Sequence, residues 1–174
     1  MTRWVALFRG INVGGNNKLP MADLRALASD LGHESVATYI QSGNLIFSSR
    51  EGDGGQLETA LAAAVEARFG FRPIILLRTM AQLAEALAAN PFAARVTEGK
   101  QLHLFFCEGS NPRYDEAAMR TLAAPTEDFA MVGDVFYLFA PDGIGRSKLA
   151  EKLPLPKRNT GRNLNSIQAI LALA

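Results

Sequence analysis

The chain has 174 residues, 48% hydrophobic and 20% charged, with a net charge of +1 at pH 7. That length forms one domain or two small ones and hides about 70% of the open-chain surface on folding. No apolar run is long enough to cross a bilayer, and the five apolar residues before Arg9 are too few for a secretory leader, so the expectation is a cytoplasmic protein without a membrane partner. One cysteine, Cys107, excludes an intramolecular disulfide framework and a clustered-cysteine zinc site. The two histidines, His33 and His103, have no second ligand at metal-site spacing, so neither a metal nor any other cofactor is predicted. Charge is unevenly spread: +2 over residues 1–50, −6 over 51–142 and +5 over 143–174. Near-neutrality overall argues against a dedicated nucleic-acid binder.

In chain order, residues 4–8 read as a buried strand running into a loop, residues 10–18, rich in Gly and Asn. Pro20 suits the first helical position, Met21, Leu24, Leu27 and Leu31 recur at helical spacing, and Gly32 supplies a left-handed stop. Residues 36–41 and 45–49 are strand-like and flank Ser42-Gly43-Asn44, a hairpin signal. Leu57, Leu61, Val65 and Phe69 step by four along a second helix that Gly70 ends, and residues 73–77 return as a strand. Strand, helix, strand, strand, helix, strand is the ferredoxin-like order. A linking helix follows, with Thr79 and Gln82 spaced as a capping box and Asn90-Pro91 at its end.

Residues 102–107 then repeat the opening strand, Asn111-Pro112 opens a helix through Met119 and Leu122, and residues 129–132 and 135–140 form a hairpin around Gly133-Asp134. The second half copies the first in the order and spacing of its elements. The predicted fold is therefore α+β, two ferredoxin-like βαββαβ-type repeats packed closely in one chain. Residues 1–78 form the first repeat; residues 79–174 hold the linking helix, the second repeat and a basic C-terminal helix.

Polar chemistry concentrates in three places. The first is the loop carrying Arg9, Asn12, Gly14, Gly15, Asn17 and Lys18, where a strand passes through glycines to a helix start, an arrangement able to present backbone N–H groups to an anion. It matches neither standard nucleotide-binding glycine motif. The first two strands run parallel, so this loop and the hairpin bearing Gln41, Ser42 and Asn44 lie at one end of the sheet. The competing explanation is that Asn and Gly here simply make turns. The second cluster, Gly143, Gly145, Arg146, Ser147 and Lys148, again follows a strand, and its cations suit a phosphate or carboxylate at about 1.5–3 kcal/mol per charge-assisted hydrogen bond. A flexible solvated loop would look the same. The third is the basic stretch ending in Arg162 and Asn163 before a helix marked by Leu164, Ile167 and Leu171, where Asn163 is a natural N-cap.

The stretch RGINVGGNNKLPMADLRAL, the hairpin YIQSGN, the loop DGIGRSKL and the closing TGRN together resemble the bacterial proteins grouped as domain of unknown function family 1697. The resemblance spans nearly the whole chain. It implies a pair of ferredoxin-like repeats and no established activity. Leu164 stands where the resemblance leads one to expect tryptophan.

Several chemistries are disfavoured. Cys107 ends an apolar strand, where buried cysteine is the norm, and His103 lies over about 12 Å away along that strand, so thiol catalysis lacks its base. No G-x-S-x-G elbow exists, and Ser42 is accounted for by the hairpin. Whether the chain is an enzyme stays open on sequence. The leading expectation is a protein that binds a small phosphorylated or carboxylated ligand at its glycine-lined basic bends. RNA or single-stranded DNA binding on a ferredoxin-like sheet, and oligomerisation through a sheet edge or the terminal helix, are the alternatives.

Overall fold

The computed structural model describes residues 1–109 and 113–174. Two compact units divide the chain, one of Met1–Glu85 with Ala169–Ala174 and one of Ala86–Gln168.

The first unit is built from β1 (Thr2–Arg9), α1 (Met21–Asp30), β2 (Glu34–Tyr39), β3 (Asn44–Ser49), α2 (Gly54–Phe69) and β4 (Ile74–Thr79). Its strands lie in the order β2-β3-β1-β4, every neighbouring pair antiparallel. This is the ferredoxin-like order, with β1 and β3 inside and β2 and β4 at the edges. Period-two alternation sends Trp4, Ala6 and Phe8 of β1, Leu45 and Phe47 of β3 and Ile75 and Leu77 of β4 to the helix-covered side, where Leu24, Leu27, Leu57, Leu61 and Val65 meet them. Asp53 starts α2 by accepting hydrogen bonds from the Gly55 and Gln56 amides, and Gly70 closes it at φ 78. Pro20 stands one position ahead of the sequence expectation, as the residue preceding helical Met21.

The helix α3 (Met80–Ala88) follows, entered through a reciprocal capping box: Thr79 N–H donates to Gln82 Oε1 at 2.8 Å, and Gln82 N–H donates to Thr79 Oγ1 at 3.1 Å. The second unit repeats the plan with β5 (Leu102–Cys107), α4 (Glu116–Leu122), β6 (Asp128–Val132), β7 (Val135–Phe139) and β8 (Asn159–Asn163), ordered β6-β7-β5-β8 and antiparallel throughout. Phe129, Phe136, Leu138 and Met119 form its helix-side core with Leu149.

Two features depart from the sequence expectation. Residues 159–163 pair with β5 as the fourth strand of the sheet, a strand that the βαββαβ plan requires but that the sequence reading places nowhere, taking these residues only as a basic stretch before the last helix. Between β7 and β8 the second long helix of the first unit is replaced by a 3₁₀ turn (Ile144–Arg146) and the single-turn α5 (Lys148–Glu151), and α6 (Leu164–Leu171) comes after the sheet is complete. The helix expected from Asn111-Pro112 begins at Glu116, capped by Asp115, whose side chain accepts from the Ala118 amide; Asn111 and Pro112 lie outside the described residues.

Gly43 sits at φ 87, and its carbonyl accepts from Phe8 N–H at 2.9 Å. A Cβ there would lie 2.5 Å from Ile11 Cδ1 and 2.7 Å from Phe8 Cβ, whereas one on Gly14, at φ 58, meets nothing within 4 Å. Gly43→Ala therefore combines left-handed strain with overpacking and is expected to cost about 2–4 kcal/mol, against about 1 kcal/mol for Gly14→Ala. Urea denaturation of the two variants, at unchanged m, measures the difference.

Candidate functional site

In the first unit the parallel run of β1 and β2 brings their following loops together, and Asn12 joins them. Its side-chain amide donates to the carbonyls of Leu19 and Gln41, each at 2.9 Å, while its Oδ1 accepts from Leu19 N–H at 2.8 Å. Asn17 closes the base of the loop through Gly10 O at 3.1 Å, and Asn12 N–H reaches Asn17 O at 3.1 Å. Gly14 and Gly15 both have positive φ and occupy the centre of a turn closed by Asn16 N–H to Val13 O at 3.0 Å, the signature of a primed hairpin turn. Asn44 is buried and donates to Tyr39 O at 2.8 Å and Ser42 Oγ at 3.3 Å. The asparagine and glycine side of this cluster thus serves the backbone. Arg9, Lys18, Gln41 and Ser42 remain as the exposed polar residues around it.

In the second unit the loop after β7 borders a cavity of about 350 Å³ whose lining includes Lys100, Gln101, His103, Asp142, Gly143 and Asn163. Topology explains the meeting. β5 is antiparallel to both β7 and β8, so its first residues stand beside the last residues of both neighbours. The Gln101 carbonyl anchors the loop by accepting Ala140 N–H at 2.8 Å, and its side-chain oxygen accepts from the Thr97 and Glu98 amides at 2.9 and 3.1 Å. Asn163 caps α6, its Oδ1 accepting Ser166 N–H at 2.9 Å, as the sequence suggested. Asp142 accepts a hydrogen bond from Thr126 Oγ1. Lys100, exposed and paired with Glu98 at 3.1 Å, is the cation of the cavity.

The remaining sequence candidates of this unit divide. Ser147 is buried and spends its hydroxyl on the α5 start, accepting from Ala150 N–H at 3.0 Å; Gly145 and Arg146 in the 3₁₀ turn and Lys148 at the start of α5 are exposed and do not line the cavity. Arg162 alternates with Asn163 along β8 and so projects to the other face of the sheet, in register with Leu104 while Asn163 is in register with His103. It is only 7% exposed, donates to Thr160 Oγ1 at 2.7 Å and Gly161 O at 2.8 Å, and burial pushes its pKa down to about 10. Sequence reasoning missed His103, Lys100, Gln101 and Asp142. On sequence His103 is a candidate only as a metal ligand or thiol base, and its place at the head of β5 is the one signal of a further role.

His103 is partly buried between Leu138 and Asn163 in the sheet register, with the Phe105 ring centred 6.5 Å away. Burial alone pushes its pKa down to about 4, so the ring is neutral at physiological pH. Its Nδ1 is buried and has no hydrogen-bond partner among the described residues.

The family model for proteins of unknown function designated DUF1697 matches residues 1–137. The chain belongs to the DUF1697 family. A solved structure that this DUF1697 protein resembles is that of the conserved bacterial protein SP0830 from Streptococcus pneumoniae, 28% identical, with a TM-score of 0.75 over 99% of this chain and 98% of that one. No curated protein matches the chain. The family match stops inside β7, so the cavity loop and Asn163 of this DUF1697 protein lie past it, though within the span shared with SP0830.

Two outcomes follow from these placements. Asn12→Ala removes three side-chain hydrogen bonds and is expected to destabilise the first unit by about 2–3 kcal/mol in urea denaturation. The second concerns acid. The unfolded chain protonates His103 near the ordinary 6.5 and the folded chain only near 4, so stability is full above pH 6.5 and falls as pH drops toward 4, by up to about 3 kcal/mol. His33, also lowered by burial, adds in the same direction. Asp128, held below the usual carboxylate range by hydrogen bonds from Arg120, the Phe129 amide and Arg95 against the cost of burial, contributes only once pH falls below about 3.8. His103→Leu should remove most of the fall in stability between pH 6.5 and 4, leaving the part due to His33 and the limb below it.

Proposed function

We propose that this protein binds a small anionic ligand, phosphorylated or carboxylated, in the cavity at the head of β5, with Lys100 taking the charge and the Gly143 loop and Asn163 shaping the wall. The observation that carries the proposal is the cavity itself: about 350 Å³, large enough for a metabolite, with a cation and a partly buried neutral imidazole in its lining. Gly143 and Asn163, two of the residues that the sequence offers for ligand binding, line it, while Arg146, Lys148 and Arg162 do not. A few charge-assisted hydrogen bonds of about 1.5–3 kcal/mol each give affinity in roughly the millimolar to micromolar range once ordering costs are met.

A nucleic-acid strand suits the molecule less well. Stacking of bases on a ferredoxin-like sheet needs open aromatic side chains on the central strands. Phe106 and Tyr137 are each 1% exposed, and Val5 and Leu7 of the first sheet are fully buried. Tyr137 is moreover committed to Ala86 O at 2.7 Å, with its hydroxyl pKa pushed up to about 12 by burial and by Asp134.

Thermal-shift screening against phosphorylated and carboxylated metabolites tests the proposal. A true ligand at a hundred times its Kd adds about 2.7 kcal/mol to the native state, and Lys100→Met should remove most of that gain. A panel that leaves the melting temperature unchanged, or a shift that Lys100→Met does not reduce, would overturn it.

A further inference from the structure

We propose that His103 is the specificity group of the β5 cavity, an imidazole whose Nε2–H donates to an oxygen of the bound anion without taking up a proton. This rests on the binding proposed above and says how the ligand is read. Of the two ring nitrogens, Nδ1 is closed off from solvent with no partner among the described residues, so Nε2 is the nitrogen a ligand in the cavity can reach. The same orphaned Nδ1 decides the tautomer. A buried N–H without an acceptor is rarer and costlier than a buried lone pair without a donor, so the proton sits on Nε2.

Protonation of the ring is opposed for the same reason. An imidazolium would place a second N–H at Nδ1, where nothing receives it, and the low pKa of about 4 agrees with that geometry. The surrounding groups do little to compensate. β7 contributes apolar Leu138, β8 contributes Asn163 with its oxygen already engaged by Ser166, and α6 carries no charged residue. The charges at the cavity are Lys100, tied to Glu98, and Asp142, which accepts from Thr126. A neutral donor beside one cation selects a ligand that offers a hydrogen-bond acceptor oxygen next to its negative charge, as phosphates, sulfates and carboxylates do, and rejects a group presenting only N–H donors.

Inorganic sulfate is the probe, because it remains a dianion throughout the useful pH range and any pH dependence then belongs to the protein. Titration calorimetry at pH 5.5 to 8, in two buffers of different ionisation enthalpy, should give a constant sulfate Kd and no proton uptake. The His103 nitrogen resonances should keep the neutral Nε2–H pattern when sulfate is saturating. His103→Leu should weaken sulfate about tenfold, the loss of one hydrogen bond to a charged group, and His103→Gln, which restores an N–H, should recover most of it. Uptake of a proton on binding, or wild-type affinity in His103→Leu while Lys100→Met abolishes binding, would overturn the role of His103 and leave the cavity as an anion site. Failure of wild-type protein to bind sulfate or any member of the metabolite panel would overturn both.

Discussion

Antiparallel pairing of the central strand with both of its neighbours is the constraint from which the candidate site follows. In the second unit it puts the first residues of β5 between the last residues of β7 and β8, so that Lys100, Gln101 and His103 from one segment meet Gly143 from a second and Asn163 from a third. No local feature of any one segment produces that convergence. The same pairing in the first unit places the glycine-rich loop at the opposite end of its own sheet, because that loop follows the first strand rather than the third. The two glycine-bearing loops are therefore not equivalent positions of a repeated fold, although they look alike as strings of residues.

Their polar residues are spent differently as well. Asn12, Asn17 and Asn44 satisfy backbone groups that the loop could not otherwise pair, and Gly14, Gly15 and Gly43 supply backbone angles that other residues adopt only under strain. Ile40, a β-branched residue at φ 48 and half exposed, shows how tightly the neighbouring hairpin is held. By contrast the loop after β7 uses its own side chains in the cap from Ser147 and the bond that Asp142 accepts from Thr126, and its remaining value lies in what it lies against.

Burial of His103 has an energetic cost that stability alone does not explain. A leucine at the head of β5 would fill an apolar register position beside Leu138 and Phe105 without leaving a nitrogen unpaired. An imidazole there lines the cavity with its pKa pushed down to about 4 by burial. Asp128 stands in contrast: its carboxylate is shared by Arg95 at 2.8 Å and Arg120 at 2.9 Å, whose guanidinium groups also cover the Phe139 and Phe129 rings, so its perturbation belongs to a satisfied surface network.

The amino-acid sequence by itself determined the duplicated ferredoxin-like plan, because the apolar runs in residues 4–8 and 102–107, the Gly70 stop, the Thr79–Gln82 capping box and the Asn163 cap are all local signals that tertiary contacts reinforce. It could not reveal β8, whose polar residues Asn159–Asn163 become a strand only because β5 offers an unpaired edge, nor the facing of Arg162, which one step of register turns away from His103. Only the tertiary structure decided that the asparagines were structural and that His103, unremarkable in a list of residues, sits in the wall of a cavity. Polarity is written along the chain, but whether a polar atom is satisfied depends on which distant backbone arrives beside it.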